Sequence, residues 1–274
     1  IINKNNVFIS SILYEKNANG LYVITRSMID AIKDKNSLLY PHVYRNSLYN
    51  EISQKPLFLQ EQSVDKRWYN WATEEEIKKL KLRYFPENAF VICICGRIAI
   101  NSYPKSLFEA IKILRGQGHN IQVLALAEIR LDPYRLTKSL YDEINGYDWV
   151  KSFTVDKKDV LNYFRTCDIL ASTYRDYCNH VGGSNKIKEY LLCNKPILCN
   201  DFNNDVTSII KKNNLGIINN FDQENINNLY NQILNLISIN IEKSYCRYYA
   251  EKNLSLKYGS NEYIKLYQNL LNEQ

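Results

Sequence analysis

Hydrophobic positions along the chain fall into short unbroken runs separated by amphipathic stretches, and the two alternate for most of its length. Residues 89–95, 121–127, 149–153, 168–172 and 215–218 read as strands, and a further apolar run with Pro196 at its head follows the segment at 184–195. Runs that are apolar without alternation fit central parallel strands covered on both faces. Between them lie helical patterns. Thr73 with Glu76 forms a capping-box signature that opens a charged helix to about Tyr84, and Pro86 follows it. Pro104 suits a helix's first turn, Leu107, Phe108, Ile111 and Leu114 form one stripe, and Gly116 and Gly118 supply the stop. Asp132-Pro133 starts another helix to about Asn145, Asp156 caps one that runs to Thr166, and a third covers about 203–212. Two or three helices complete the chain. Strands alternating with helices at this spacing imply right-handed βαβ units, hence an α/β fold with a doubly wound, Rossmann-like parallel sheet.

The first 85 residues read differently. Residues 7–13 alternate as a strand, and 21–34 carry Leu21, Ile24, Met28, Ala31 and Ile32 at helical spacing. From 40 to 70 the pattern breaks into short extended pieces around Pro41 and Pro56, with Trp68 and Trp71 expected to pin the segment by packing. The chain opens mid-pattern at Ile1. The division expected is 1–40 as the remnant of an N-terminal domain, 41–85 as linker and connecting helix, and 86–274 as one α/β domain with C-terminal helices.

Composition narrows the partners. The chain has 274 residues, a formal net charge of +6 and 22 tyrosines. The charge favours acidic ligands such as nucleotides without bearing on the fold. Basic residues are dispersed and no aromatic-basic stripe of a nucleic-acid motif occurs, so no nucleic-acid partner is expected. Seven scattered cysteines, several inside apolar runs, fit reduced core thiols and a cytoplasmic setting. No C-x-x-C pair occurs, His42, His119 and His180 are far apart, and Asp201 and Asp205 are explained by capping or solvation, so no metal site is expected. No apolar run is long enough to span a bilayer, which leaves peripheral membrane contact open.

The chemistry concentrates at strand ends. In a doubly wound sheet the ligand crevice lies beyond the carboxyl ends of the strands. Gly96-Arg97 follows the first of these strands, Lys105 begins the next helix, and the loop Gly182-Gly183-Ser184-Asn185 precedes another. The first amides of that helix, near Ser184, Asn185 and Lys186, lack intrahelical partners and carry partial positive charge. Two cations and a helix start at one crevice suit a diphosphate, and stabilise it further as it leaves. Glu189, one turn inside, is placed to accept hydrogen bonds from sugar hydroxyls.

The motif order then becomes specific. G-R at Gly96-Arg97, P-K-S-L-F-E-A-I from Pro104, K-K-D-V-L-N-Y-F-R-T-C-D-I-L from Lys157, and S-N-K-I-K-E-Y-L-L-C-N-K-P-I-L from Ser184 resemble the C-terminal half of family 4 glycosyltransferases of GT-B fold. The resemblance covers about residues 86–272. It implies a retaining, metal-independent transferase without cofactor, taking a UDP- or GDP-linked sugar donor and a glycan, lipid-linked or protein acceptor. Arg97 and Lys105 match the family's diphosphate-binding pair and would be catalytic, while Gly96 matches its tight turn. Glu189 matches the second glutamate of the family's E-x7-E motif, which holds the ribose hydroxyls, and the base would lie against the backbone at 151–154. Val181 stands where the family has the first glutamate, a loss shared by branches with an N-K-x-x-E-Y type motif. Asp176 and His180 are the nearby candidates for contact with the transferred sugar. The acceptor's own contacts would fall largely in an absent N-terminal half, so the chain is expected to bind a nucleoside diphosphate and to transfer sugar poorly or not at all. A nucleotide-sugar epimerase of the same fold and a non-catalytic nucleotide-binding module are the rival readings.

Overall fold

A computed structural model describes residues 21–23, 57–59, 64–96, 104–127, 138–173, 185–200, 205–218, 226–238 and 244–272. Arg97, Asp176, His180, Val181, Gly182, Gly183 and Ser184 lie outside the described residues.

Six strands form one parallel sheet: β3 (Phe90–Cys95), β4 (Ile121–Leu126), β5 (Val150–Ser152), β6 (Ile169–Ser172), β7 (Ile197–Cys199) and β8 (Gly216–Ile218). Their spatial order is β5-β4-β3-β6-β7-β8. Counted from β3 this is the Rossmann order 3-2-1-4-5-6, in which the chain builds outward one way, returns to the centre and builds outward the other way. The switch point therefore lies between β3 and β6, which pair through Ile92 with Ile169 and Ile94 with Ala171. The doubly wound parallel sheet expected from the alternating pattern is the fold observed.

Helices cover both faces, as the unbroken apolar strands require. On one side α2 (Lys105–Gly116) packs with α7 (Ile226–Ser238) over Ile92, Ile94, Val123 and Ala125. Leu107, Phe108, Ile111 and Leu114, the stripe read from the sequence, are all fully buried there. Burying each such side chain contributes about 1.5–3 kcal/mol before entropy is counted. On the other side α4 (Val160–Thr166) and α5 (Asn185–Leu192) lie over Val91, Cys93 and Leu170, with α1 (Glu74–Tyr84) against α4 and α8 (Ser244–Asn253) against α5. The remaining helices are α3 (Lys138–Gly146), α6 (Asp205–Lys212) and α9 (Leu256–Asn272).

Local chemistry explains several element ends. Thr73 caps α1 by accepting from the Glu76 amide while Glu76 accepts from the Thr73 amide at 2.7 Å, the reciprocal box read from the sequence. α5 stops at Asn194, whose φ of 61° is a left-handed conformation that asparagine tolerates, and Pro196 then prevents continuation. Asp168 accepts from the Val91 amide at 2.8 Å and from Lys81 Nζ at 3.1 Å, which joins α1 to the start of β3 and β6.

Three expectations are corrected. Leu21–Val23 is a strand, β1, where the spacing suggested the start of a helix; it pairs in parallel with β2 (Leu57–Leu59), which falls among the short extended pieces read between 40 and 70. The Leu-Tyr-Val and Leu-Phe-Leu triplets carry aromatic or β-branched side chains that suit a pleated surface, and pairing overrides the weak helical spacing. Asp156 does not cap α4 but closes a turn through the Lys158 amide at 2.9 Å, so the helix begins one turn later at Val160. Of the two tryptophans expected to pin the segment, Trp71 is packed under the Arg165 and Arg247 guanidinium groups but Trp68 is 50% exposed, and the buried aromatic beside it is Tyr69 at 8%.

Candidate functional site

The carboxyl ends of β3 and β6 open at the switch point, and four features meet there. Gly96 follows β3 with φ of +117°, a conformation that side chains rarely adopt, and its N–H donates to the Leu126 carbonyl at 3.0 Å. Gly96 is therefore in a conformation that glycine favours and is tied across to β4.

The second feature is Lys186, in the first turn of α5. Its Nζ donates to the Cys95 carbonyl at 2.9 Å, so the ammonium lies against the last residue of β3 beside Gly96. Sequence reasoning enlisted the Lys186 amide alone. The side chain adds a positive charge at the same place, and no spacing rule signals that reach. Asn185, Lys186 and Ile187 open α5, and their N–H groups are among those that a helix leaves without internal partners. Ile187, Leu191 and Leu192 are buried, which sets the orientation of the helix.

Glu189 is the third. It is half-buried, and its Oε1 accepts from the hydroxyl of Tyr69 at 2.5 Å. Burial first, and then the Glu189 carboxylate, push the Tyr69 hydroxyl far above its ordinary range, so it stays protonated and donating. Cys95 reports the same neighbourhood: burial raises its thiol to about 11, with Lys186 pulling down and Glu189 pushing up. Lys186 and Glu189 thus both act on the end of β3.

The fourth is Ser172, the last residue of β6. It is 3% exposed, and its hydroxyl has no hydrogen-bond partner among the described residues. Thr173 and Asn200, after β6 and β7, are buried polar residues with partners, as is Lys188 in α5. Lys105 sits exposed at the start of α2, the helix that follows β3. The 151–154 stretch proposed for a base lies at the carboxyl end of β5, on the same sheet edge.

Gly96, Lys105, Asn185, Lys186 and Glu189 are therefore all positioned at carboxyl ends of strands or on the helices that leave them. The fold does not spread them over unrelated surfaces. Sequence reasoning missed Tyr69 and Ser172. The aromatic run Trp68-Tyr69-Asn70-Trp71 in a polar stretch was the available signal for the first, and nothing marks the second. No group of three or more His, Cys, Asp or Glu among the described residues is placed to hold a metal ion, and no described helix is long and apolar enough to cross a membrane.

Solved glycosyltransferases share this fold. A glycosyltransferase from Rickettsia africae superposes with a TM-score of 0.72 at 18% identity, covering 100% of this chain and 69% of its own. Sucrose-phosphate synthase from Thermosynechococcus elongatus gives 0.68 at 13% identity, over 100% of this chain and 65% of that one. The Anabaena protein HepE, solved with UDP and glucose, gives 0.68 at 14% identity, over 99% and 68%; it has also been solved with UDP-glucose. At these identities the likeness is one of fold, and this chain spans about two thirds of the length of each. No family model and no curated protein sequence matches the chain.

Proposed function

We propose that the chain binds a nucleotide-sugar donor and serves a glycosyltransferase that moves the sugar to an acceptor hydroxyl, with retention and without a metal ion. The observation that carries this reading is the switch point itself. There the end of β3, with Gly96 in its left-handed turn, meets the Lys186 ammonium and the opening amides of α5, with Glu189 one turn further on. Such a place offers positive charge and several N–H donors to a diphosphate, and a carboxylate to hydroxyls. Strands spaced at about 4.8 Å put the end of β5 about 10 Å from that of β3, a distance that a nucleoside joining its base to a diphosphate can bridge. Fold likeness to glycosyltransferases, one of them solved with UDP-glucose, agrees with the reading.

In this reading Arg97, Lys105 and the amides at 182–186 take the diphosphate. The bond from the anomeric carbon to the diphosphate oxygen breaks and its electron pair leaves with the diphosphate, while the acceptor oxygen bonds to that carbon and its proton passes to the departing diphosphate. Charge grows on the leaving group as the bond breaks, so cations fixed around it lower the barrier. Glu189 holds the ribose hydroxyls, and Asp176 and His180 are assigned to the sugar. Residues 86–274 form the donor-binding unit, and the acceptor is a glycan, a lipid-linked sugar or a protein.

Calorimetry with UDP and GDP tests the proposal. One of the two is expected to bind, and Lys105→Ala and Arg97→Ala are each expected to weaken binding about fivefold or more, the effect of a charge-assisted hydrogen bond. Lack of binding by both nucleotides at millimolar concentration would overturn it.

A further inference from the structure

Tyr69 stands 120 residues from Glu189 in sequence, in the segment that leads into α1, yet its hydroxyl meets the carboxylate at 2.5 Å. The segment around it is held on both sides. Before it, the Val64 amide donates to the Leu254 carbonyl at 2.8 Å. After it, the Asn70 amide donates to the Lys158 carbonyl at 2.7 Å, and Asn70 Nδ2 to Asp159 Oδ1 at 2.7 Å. The Ala72 amide donates to Asn162 Oδ1 at 3.0 Å, and Arg165 Nη1 donates to the Ala72 carbonyl at 2.6 Å. The guanidinium groups of Arg165 and Arg247 lie over the Trp71 ring, 4.5 and 4.9 Å from its centre. Tyr69 is thus a fixed donor, while a glutamate by itself keeps rotamer freedom that binding must remove.

A carboxylate presents two oxygens with about four acceptor sites. The bond to Tyr69 occupies one site on Oε1 and sets the plane of the group, leaving capacity for two hydroxyls of a ligand. Burial and the carboxylate keep the phenol protonated, so the donor persists over the whole neutral range.

We infer that Tyr69 is a positioning residue that pre-orients Glu189 toward the vicinal ribose hydroxyls of the bound nucleotide, making recognition of ribose depend on a segment that precedes the donor-binding sheet. The inference rests on the nucleotide-binding reading above. It goes further by assigning a function to a residue outside every motif of the sheet.

The experiment compares the full chain with its Tyr69→Phe variant, which keeps the ring and removes only the hydroxyl. Calorimetry is run with UDP, or GDP if that is the nucleotide bound, and with its 2′,3′-dideoxy analogue. Tyr69→Phe is expected to weaken the ribonucleotide about five- to tenfold and to leave the dideoxy analogue's affinity unchanged. Combined with Glu189→Gln it is expected to add no further loss, because the two groups act as a unit. An equal loss for both nucleotides would show a purely structural tyrosine and overturn the inference, as would an unchanged ribonucleotide affinity. Those outcomes leave nucleotide binding itself intact, whereas a wild-type chain that binds neither UDP nor GDP removes the donor-site reading and the inference together.

Discussion

Single residues in this chain do more than their sequence patterns announce. Cys93 and Cys95 alternate with apolar neighbours on β3, and reading them as core thiols is correct: both face the helix layer that holds α4 and α5. Their chemistry follows from that position. Burial raises Cys93 well above the ordinary thiol range, aided by its contact with Cys167, and raises Cys95 and Cys246 to about 11 each. Cys193 shifts in the same direction, again chiefly by burial. Only the thiolate reacts with alkylating agents, and a raised pKa leaves less of it. Iodoacetamide at pH 8 is therefore expected to leave these four residues unmodified in the folded protein and to modify them rapidly after unfolding in guanidinium, as read by peptide mass mapping. Rapid modification of Cys93 or Cys193 in the native state would contradict their burial. Lys186 teaches the complementary lesson, since a lysine read for its backbone amide brings its ammonium to the Cys95 carbonyl, a partner 91 residues away.

Elements were legible where local chemistry decides them. The capping box of Thr73 and Glu76, the buried stripe of α2 and the long strands β3 and β4 rest on neighbours within a few residues, so pattern and outcome agree. Agreement fails where pairing decides. Leu21–Val23 becomes a strand because Leu57–Leu59 lies beside it, a partner that no local window contains. The site divides along the same line: Gly96 and Glu189 carry their own signals, while Tyr69 matters only through a distant contact and Ser172 only through the strand order that brings β6 beside β3. β8 shows how strict such a contact is. A Cβ built on Gly216 would overlap the backbone of Ile197 in β7, with the Ile197 carbonyl oxygen the nearest atom. Neither strand can retreat without losing its ladder, because Gly216, Ile217 and Ile218 pair with Ile197, Leu198 and Cys199. Gly216→Ala is therefore expected to destabilise the fold by about 1–3 kcal/mol or more, the usual cost of overpacking a core. Urea unfolding monitored by tryptophan fluorescence measures it, and a variant as stable as the wild type would show that β8 is not held this closely.

At the scale of the molecule, the sheet positions the candidate site and the segment at 64–73 joins the α8–α9 junction to α4 and α5. Arg165 is the centre of that attachment. Its side chain is 4% exposed, donates to the Ala72 carbonyl and to Glu74 Oε1, both at 2.6 Å, and lies over Trp71. Glu74 is 87% exposed, so water screens the ion pair and it adds little by itself. The part-buried bond to Ala72 and the contact with the indole account for the larger share. Arg165→Met keeps an unbranched apolar stem but removes both, and is expected to cost about 2–3 kcal/mol. Glu74→Gln keeps an acceptor for Arg165 and is expected to cost less than about 1 kcal/mol. The two variants also differ in where the loss appears. Lys66 and Arg67 are exposed in the 3-10 turn Lys66–Trp68 of this segment, and trypsin can cut there only when the segment lifts from the helices. Arg165→Met is expected to speed that cleavage at least tenfold under conditions where the sheet stays folded, while Glu74→Gln leaves it near the wild-type rate. Equal cleavage in all three proteins would mean that the segment is held by its backbone bonds alone, and that Arg165 stabilises α4 rather than the span that carries Tyr69 to Glu189.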